Sequence, residues 1–93
     1  MSVSEEIRRG EQARQLIENE LYKEAIDKVK QGIIDKWMSA PLRDREGHHE
    51  LKIMLKLLDE LTGYINTTME TGKLARIQLD GDRRMEKLRS VGL

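Results

Sequence analysis

The chain has 93 residues, with 17 Lys+Arg against 17 Asp+Glu, no cysteine, one proline and only 3% aromatic residues. That length allows one small domain with a thin core, and the lack of cysteine excludes a disulfide framework, thiolate zinc sites and thiol catalysis. A formal net charge of zero gives no bulk attraction to nucleic acid or anionic lipid, and no apolar run nears the ~18 residues of a membrane span.

From Met1 to Arg9 the chain reaches Glu5 and Glu6 at once and holds no apolar signal core, so no secretion is expected. Ser2-x-x-Glu5 fits a capping box, in which hydroxyl and carboxylate satisfy each other's orphan backbone donors. A first helix is predicted over about 2–18, with Ile7, Ala13, Leu16 and Ile17 on one side. Gly10 weakens it by roughly 1 kcal/mol relative to alanine. Asn19 suits either a helix end or the cap of the next helix, and a helix running through it fits as well.

Over about 20–39, Tyr22, Ala25, Ile26, Val29, Ile33, Ile34 and Trp37 recur at three- and four-residue spacing, which is one helix face. Pro41 disfavours helix at Ala40, so the segment ends near Ser39 and turns through Arg43. Trp37 reads either as a core plug or as the anchor for a partner.

Asp44 is a good N-cap for a long helix over about 44–79, with Glu46 complementing its dipole. Leu51, Leu55, Leu58, Thr62, Ile65, Met69 and Gly72 step by fours and threes, as in a coiled-coil seam. A neighbouring stripe runs through Met54, Leu58, Leu61, Ile65, Thr68, Gly72, Ala75 and Leu79, and its later small members would let another helix approach closely. Such a helix spans roughly 50 Å, about twice what the preceding helix can cover. Either the first helix or a second copy must cover the far half. The oligomer or partner interface is therefore expected at Leu51, Leu55, Leu58, Leu61, Ile65, Met69, Gly72, Ala75, Leu79 and Trp37.

Asp80-Gly81-Asp82 interrupts the pattern, and residues 80–93 read as a basic tail or short helix with Met85, Leu88 and Val91 interleaved. From Lys73 onward the bases Lys73, Arg76, Arg83, Arg84, Lys87 and Arg89 outnumber the acids Asp80, Asp82 and Glu86. Arg83, Arg84, Lys87 and Arg89 are candidate phosphate contacts, against the simpler reading of a solubilising tail. No aromatic residues are interleaved for stacking on bases. The fold class that follows is all-α: a helical hairpin or small three-helix bundle with a long C-terminal helix, assembling as an oligomer.

Little in the chain suggests catalysis. His48 and His49 are adjacent, so on a helix they point about 100° apart and cannot chelate one metal; a solvated first turn is the simpler reading. Asp44 and His48, four apart, form an ordinary surface pair. Gly72-Lys73 lacks the first glycine and the hydroxyl of a phosphate loop, since Thr67 and Leu74 stand there. Asp59-Glu60 sits among alternating charges, as on an exposed helix face. No enzyme, cofactor or metal is expected.

Asp44-Arg45-Glu46-Gly47, Leu51, Leu55-Lys56-Leu57-Leu58 and Glu70-Thr71-Gly72-Lys73-Leu74-Ala75 give the chain a resemblance to small helical proteins of tailed bacteriophages and prophages. The stretches Ala13 to Ile17 and Glu18 to Ala25 share in it, so it covers about residues 10–80. Members often carry proline where Glu20 stands, a departure that leaves the break at Asn19 open. The resemblance implies a virion-assembly or head-region product without catalysis, located in the bacterial host's cytoplasm or built into the virion. Its partners would be itself or another phage or host protein. A DNA-binding or packaging role for the basic segment and inhibition of a host protein are the alternatives.

Overall fold

In a computed structural model describing residues 1–90, the chain forms three helices: α1 (Val3–Glu18), α2 (Glu20–Ser39) and α3 (Arg45–Ser90). No strand occurs among the described residues, so the all-α expectation holds. The chain falls into two compact units. One pairs Met1–Gln15 with α3 from Asn66 onward, and the other is Leu16–Ile65.

Each helix starts where a side chain can serve its orphan amides. The Ser2 hydroxyl accepts from Glu5 N at 3.2 Å, the first half of the expected box. Asn19 resolves its ambiguity as the N-cap of α2: its backbone is extended (φ −69°, ψ 123°) and its Oδ1 accepts from Tyr22 N at 2.9 Å. Pro41 holds Ala40 extended, at φ −69° and ψ 139°, and α2 stops at Ser39. Asp44 then caps α3 by accepting from Gly47 N at 3.0 Å.

The third helix runs further than the sequence pattern indicates. Asp80-Gly81-Asp82 lies inside α3, whose 46 residues rise roughly 69 Å. The segment 80–90 is therefore neither a tail nor a separate helix; Val91 lies outside the described residues. Gly81 ends no helix here because Arg83, Arg84, Met85, Glu86 and Lys87 follow, all able to continue it, and no proline does.

In the unit of α1 and the later part of α3, the two helices meet at glycine. A Cβ built on Gly10 would lie 2.6 Å from Gly72 Cα, and one on Gly72 would lie 2.7 Å from Gly10 Cα and 2.9 Å from Glu6 O. Backbone touches backbone there. Ala13 and Ala75 sit beside the crossing at 7% and 3% exposure, and they are the buried apolar residues of the core. The first helix thus covers the far half of the seam, and Gly72 permits a close crossing.

In the unit of Leu16–Ile65, α2 and the first part of α3 form a hairpin joined by a five-residue turn, 40–44. Tyr22, Ile26, Ile33 and Ile34 are half-buried on α2, as are Leu51, Leu55, Leu58, Thr62 and Ile65 on α3. Nothing here is fully enclosed. Two bare helices leave each seam residue open on one flank.

Candidate functional site

The hairpin turn is fastened by a histidine. His48 is half-buried, its Nε2–H donates to Pro41 O at 3.0 Å, and its ring stands edge-on to Trp37 at 6.1 Å and 80°. A carbonyl can only accept, so the proton sits on Nε2. The expected solvated histidine turn and Asp44–His48 surface pair are both corrected: Asp44 caps Gly47, while His48 ties α3 to the turn. His49 remains exposed.

Trp37 is not enclosed in a core. One edge packs on His48, while the ring, nearly half exposed, helps line an open cleft of about 510 Å³ with His48, His49, Lys52 and Leu55. Among the described residues no three His, Asp or Glu side chains converge to hold a metal ion.

The residues expected at an interface divide by burial. Gly72 and Ala75 are buried within the chain, and Leu51, Leu55, Leu58, Ile65, Met69 and Leu79 are half-buried in the seam. Only Leu61 and Trp37 expose close to half of their surface or more. Of the two candidates for covering the far half of the seam, α1 lies there, and α2 lies along the near half.

The exposed apolar surface lies to either side of that seam. Apart from Leu21, Met38, Leu42, Ile53 and Tyr64, the hairpin unit exposes Met54, Leu57 and Leu61 on α3 with Ala25 and Val29 on α2. These residues precede the packed face in the helical rotation of both helices, and antiparallel order brings the two strips to the same side. In the other unit, Leu74, Ile77, Met85 and Leu88 each expose half or more of their surface. They lie on the side of α3 away from the Gly72–Ala75 face. Sequence reading missed this strip because Asp80-Gly81-Asp82 looked like its end. The signal was nonetheless present, as 74, 77, 81, 85 and 88 keep the helical spacing.

Charge runs alongside. Arg83, Arg84 and Lys87 are exposed and share a strip of α3 with Lys73 and Arg76, while Arg89 falls on another face. Lys73 also pairs with Glu70 at 3.5 Å. At the α1 crossing, the hydrogen bond from Arg14 holds the Glu11 carboxyl below its ordinary range of about 4.5, and the charges of Arg14 and Arg76 add to this. No helix of the described residues is long and apolar enough to cross a membrane.

The chain matches no protein-family model, no curated protein and no solved structure.

Proposed function

We propose that this chain is a small non-enzymatic protein that works by helix-mediated protein–protein interaction, as a structural or assembly component of the virion kind its sequence resembles. The observation that carries this reading is what remains uncovered after the helices have packed. Leu57 and Leu61 on the hairpin, and Leu74, Ile77, Met85 and Leu88 on the later part of α3, all remain half or more exposed. Contiguous apolar surface of this kind marks an interaction face, whereas single exposed leucines do not. The reading assigns no catalytic residue, cofactor or metal.

Multi-angle light scattering on the full chain, with affinity capture from host and phage-infected cells, tests it. The expected result is self-association or a defined partner, lost in Leu57→Glu/Leu61→Glu or in Leu74→Glu/Ile77→Glu. A monomer that retains no partner would contradict it.

The strip of Lys73, Arg76, Arg83, Arg84 and Lys87 favours a second reading, a nucleic-acid or packaging accessory. That role requires DNA binding that weakens with salt, with a log–log slope reduced by about one for each basic residue replaced by glutamine. Absence of binding at low salt removes it.

A further inference from the structure

We propose that the cleft at the hairpin turn is a binding site for a small aromatic carboxylate. The inference goes beyond the interaction reading above, since none of the cleft's lining residues belongs to the two exposed strips. The cleft gathers the chain's single tryptophan and both of its histidines, with Lys52 and Leu55, around about 510 Å³. That volume falls in the range of small-molecule sites, which combine apolar and aromatic walls with a few placed polar groups.

The walls select a flat body. Trp37 and His48 stand at 80° with ring centroids 6.1 Å apart, so their two planes form a corner. An aromatic ring set into such a corner stacks on one plane and meets the other edge-on, the two arrangements that ring quadrupoles favour. The corner is also fixed beforehand. His48 is tied through its Nε2–H to Pro41 O at 3.0 Å, so binding does not have to order that ring.

Charge selects the other end of the ligand. Lys28 pairs with Glu24 at 3.1 Å and Lys73 with Glu70 at 3.5 Å, but Lys52 makes no ion pair among the described residues. Its neighbours three and four residues away on α3 are His48, His49, Leu55 and Lys56, and none is acidic. Glu46 and Glu50 lie more than about 100° round the helix from it. Asp44 is engaged with Gly47 N at 3.0 Å. Lys52 is thus a lining cation without a counter-ion, and a carboxylate supplies one. The cleft is open and Lys52 exposed, so water competes and the affinity is modest.

Titration of the full chain with hydrocinnamate tests the site, with Trp37 fluorescence and the histidine ring signals in nuclear magnetic resonance as readouts. Saturable binding with a Kd of about 1 mM is expected. Hydrocinnamyl alcohol, which lacks the charge, should bind at least fivefold more weakly, and cyclohexanepropionate, which lacks the flat ring, at least threefold. Lys52→Gln should weaken hydrocinnamate at least fivefold and leave the alcohol unchanged. Lys56→Gln, one turn along but outside the cleft, should alter neither by as much as twofold. Both lysines are exposed, so helix content by circular dichroism should be unchanged in each variant. No saturation by about 20 mM overturns the proposal. So does an acid that binds no more tightly than either analogue, or whose affinity is indifferent to Lys52→Gln.

Discussion

The two units of this chain solve the shortage of large core residues in opposite ways. Where α1 meets the later part of α3, the contact is made with almost no side chain, glycine backbone lying on glycine backbone with two alanines beside it. In the hairpin of α2 and the first part of α3, larger side chains are half-buried along the seam, yet none is fully buried. With 3% aromatics, close approach stands in for volume in the first unit, and a long seam with a fastened turn does so in the second. Dispersion explains why both work: many atom pairs at contact distance accumulate whether the atoms belong to backbone or to leucine.

The difference predicts where each unit breaks. The glycine crossing tolerates no added bulk, so Gly10→Leu should cost the most, about 3 kcal/mol in urea unfolding, because the opposing atoms are backbone and cannot rotate away. The hairpin should instead suffer from removal of bulk. Leu58→Ala is expected to cost roughly 2 kcal/mol, near the low end for leucine because the side chain is only half-buried. At the junction of α1 and α2, Asn19→Ala should cost about 1 kcal/mol, read as a lower thermal midpoint, through loss of the bond to Tyr22 N.

The smallest effect belongs to Glu11. Its carboxyl is held below its ordinary 4.5 by Arg14 and by the charges of Arg14 and Arg76. A carboxyl lowered on folding stabilises the folded state above its unfolded value, and that contribution fades as pH falls through the folded value. Glu11→Gln should therefore be slightly less stable than wild type at pH 7 and indistinguishable from it well below pH 4. Because Glu11 is exposed, the gap at neutral pH should be small and should shrink with added salt.

Much of this architecture was legible in the residues. The caps at Ser2 and Asp44, the stop before Pro41 and the seam from Leu51 to Gly72 follow from local chemistry and helical period. The remainder depends on contacts between segments distant in sequence. Asn19 could end, cap or continue a helix, and a proline at Glu20 would have decided it from sequence. The period also shows that a face of α3 is apolar without showing which helix covers it. For that reason Gly72 and Ala75 read as a partner's interface although α1 fills it. His48 needed the turn to bring Pro41 and Trp37 beside it. The strip from Leu74 to Leu88 was obscured because two aspartates around a glycine resemble a helix end, while the flanking residues are strong enough helix formers to carry α3 through.

The most direct measurement compares alanine at two glycines of the same helix. Gly72→Ala and Gly63→Ala make the same chemical change in α3, and each gains roughly 1 kcal/mol of helix propensity. A Cβ at 72 meets Gly10 Cα at 2.7 Å, whereas one at 63 meets nothing within 4 Å. Urea unfolding should show Gly72→Ala less stable than wild type and Gly63→Ala more stable. Stabilisation by both would contradict the glycine crossing.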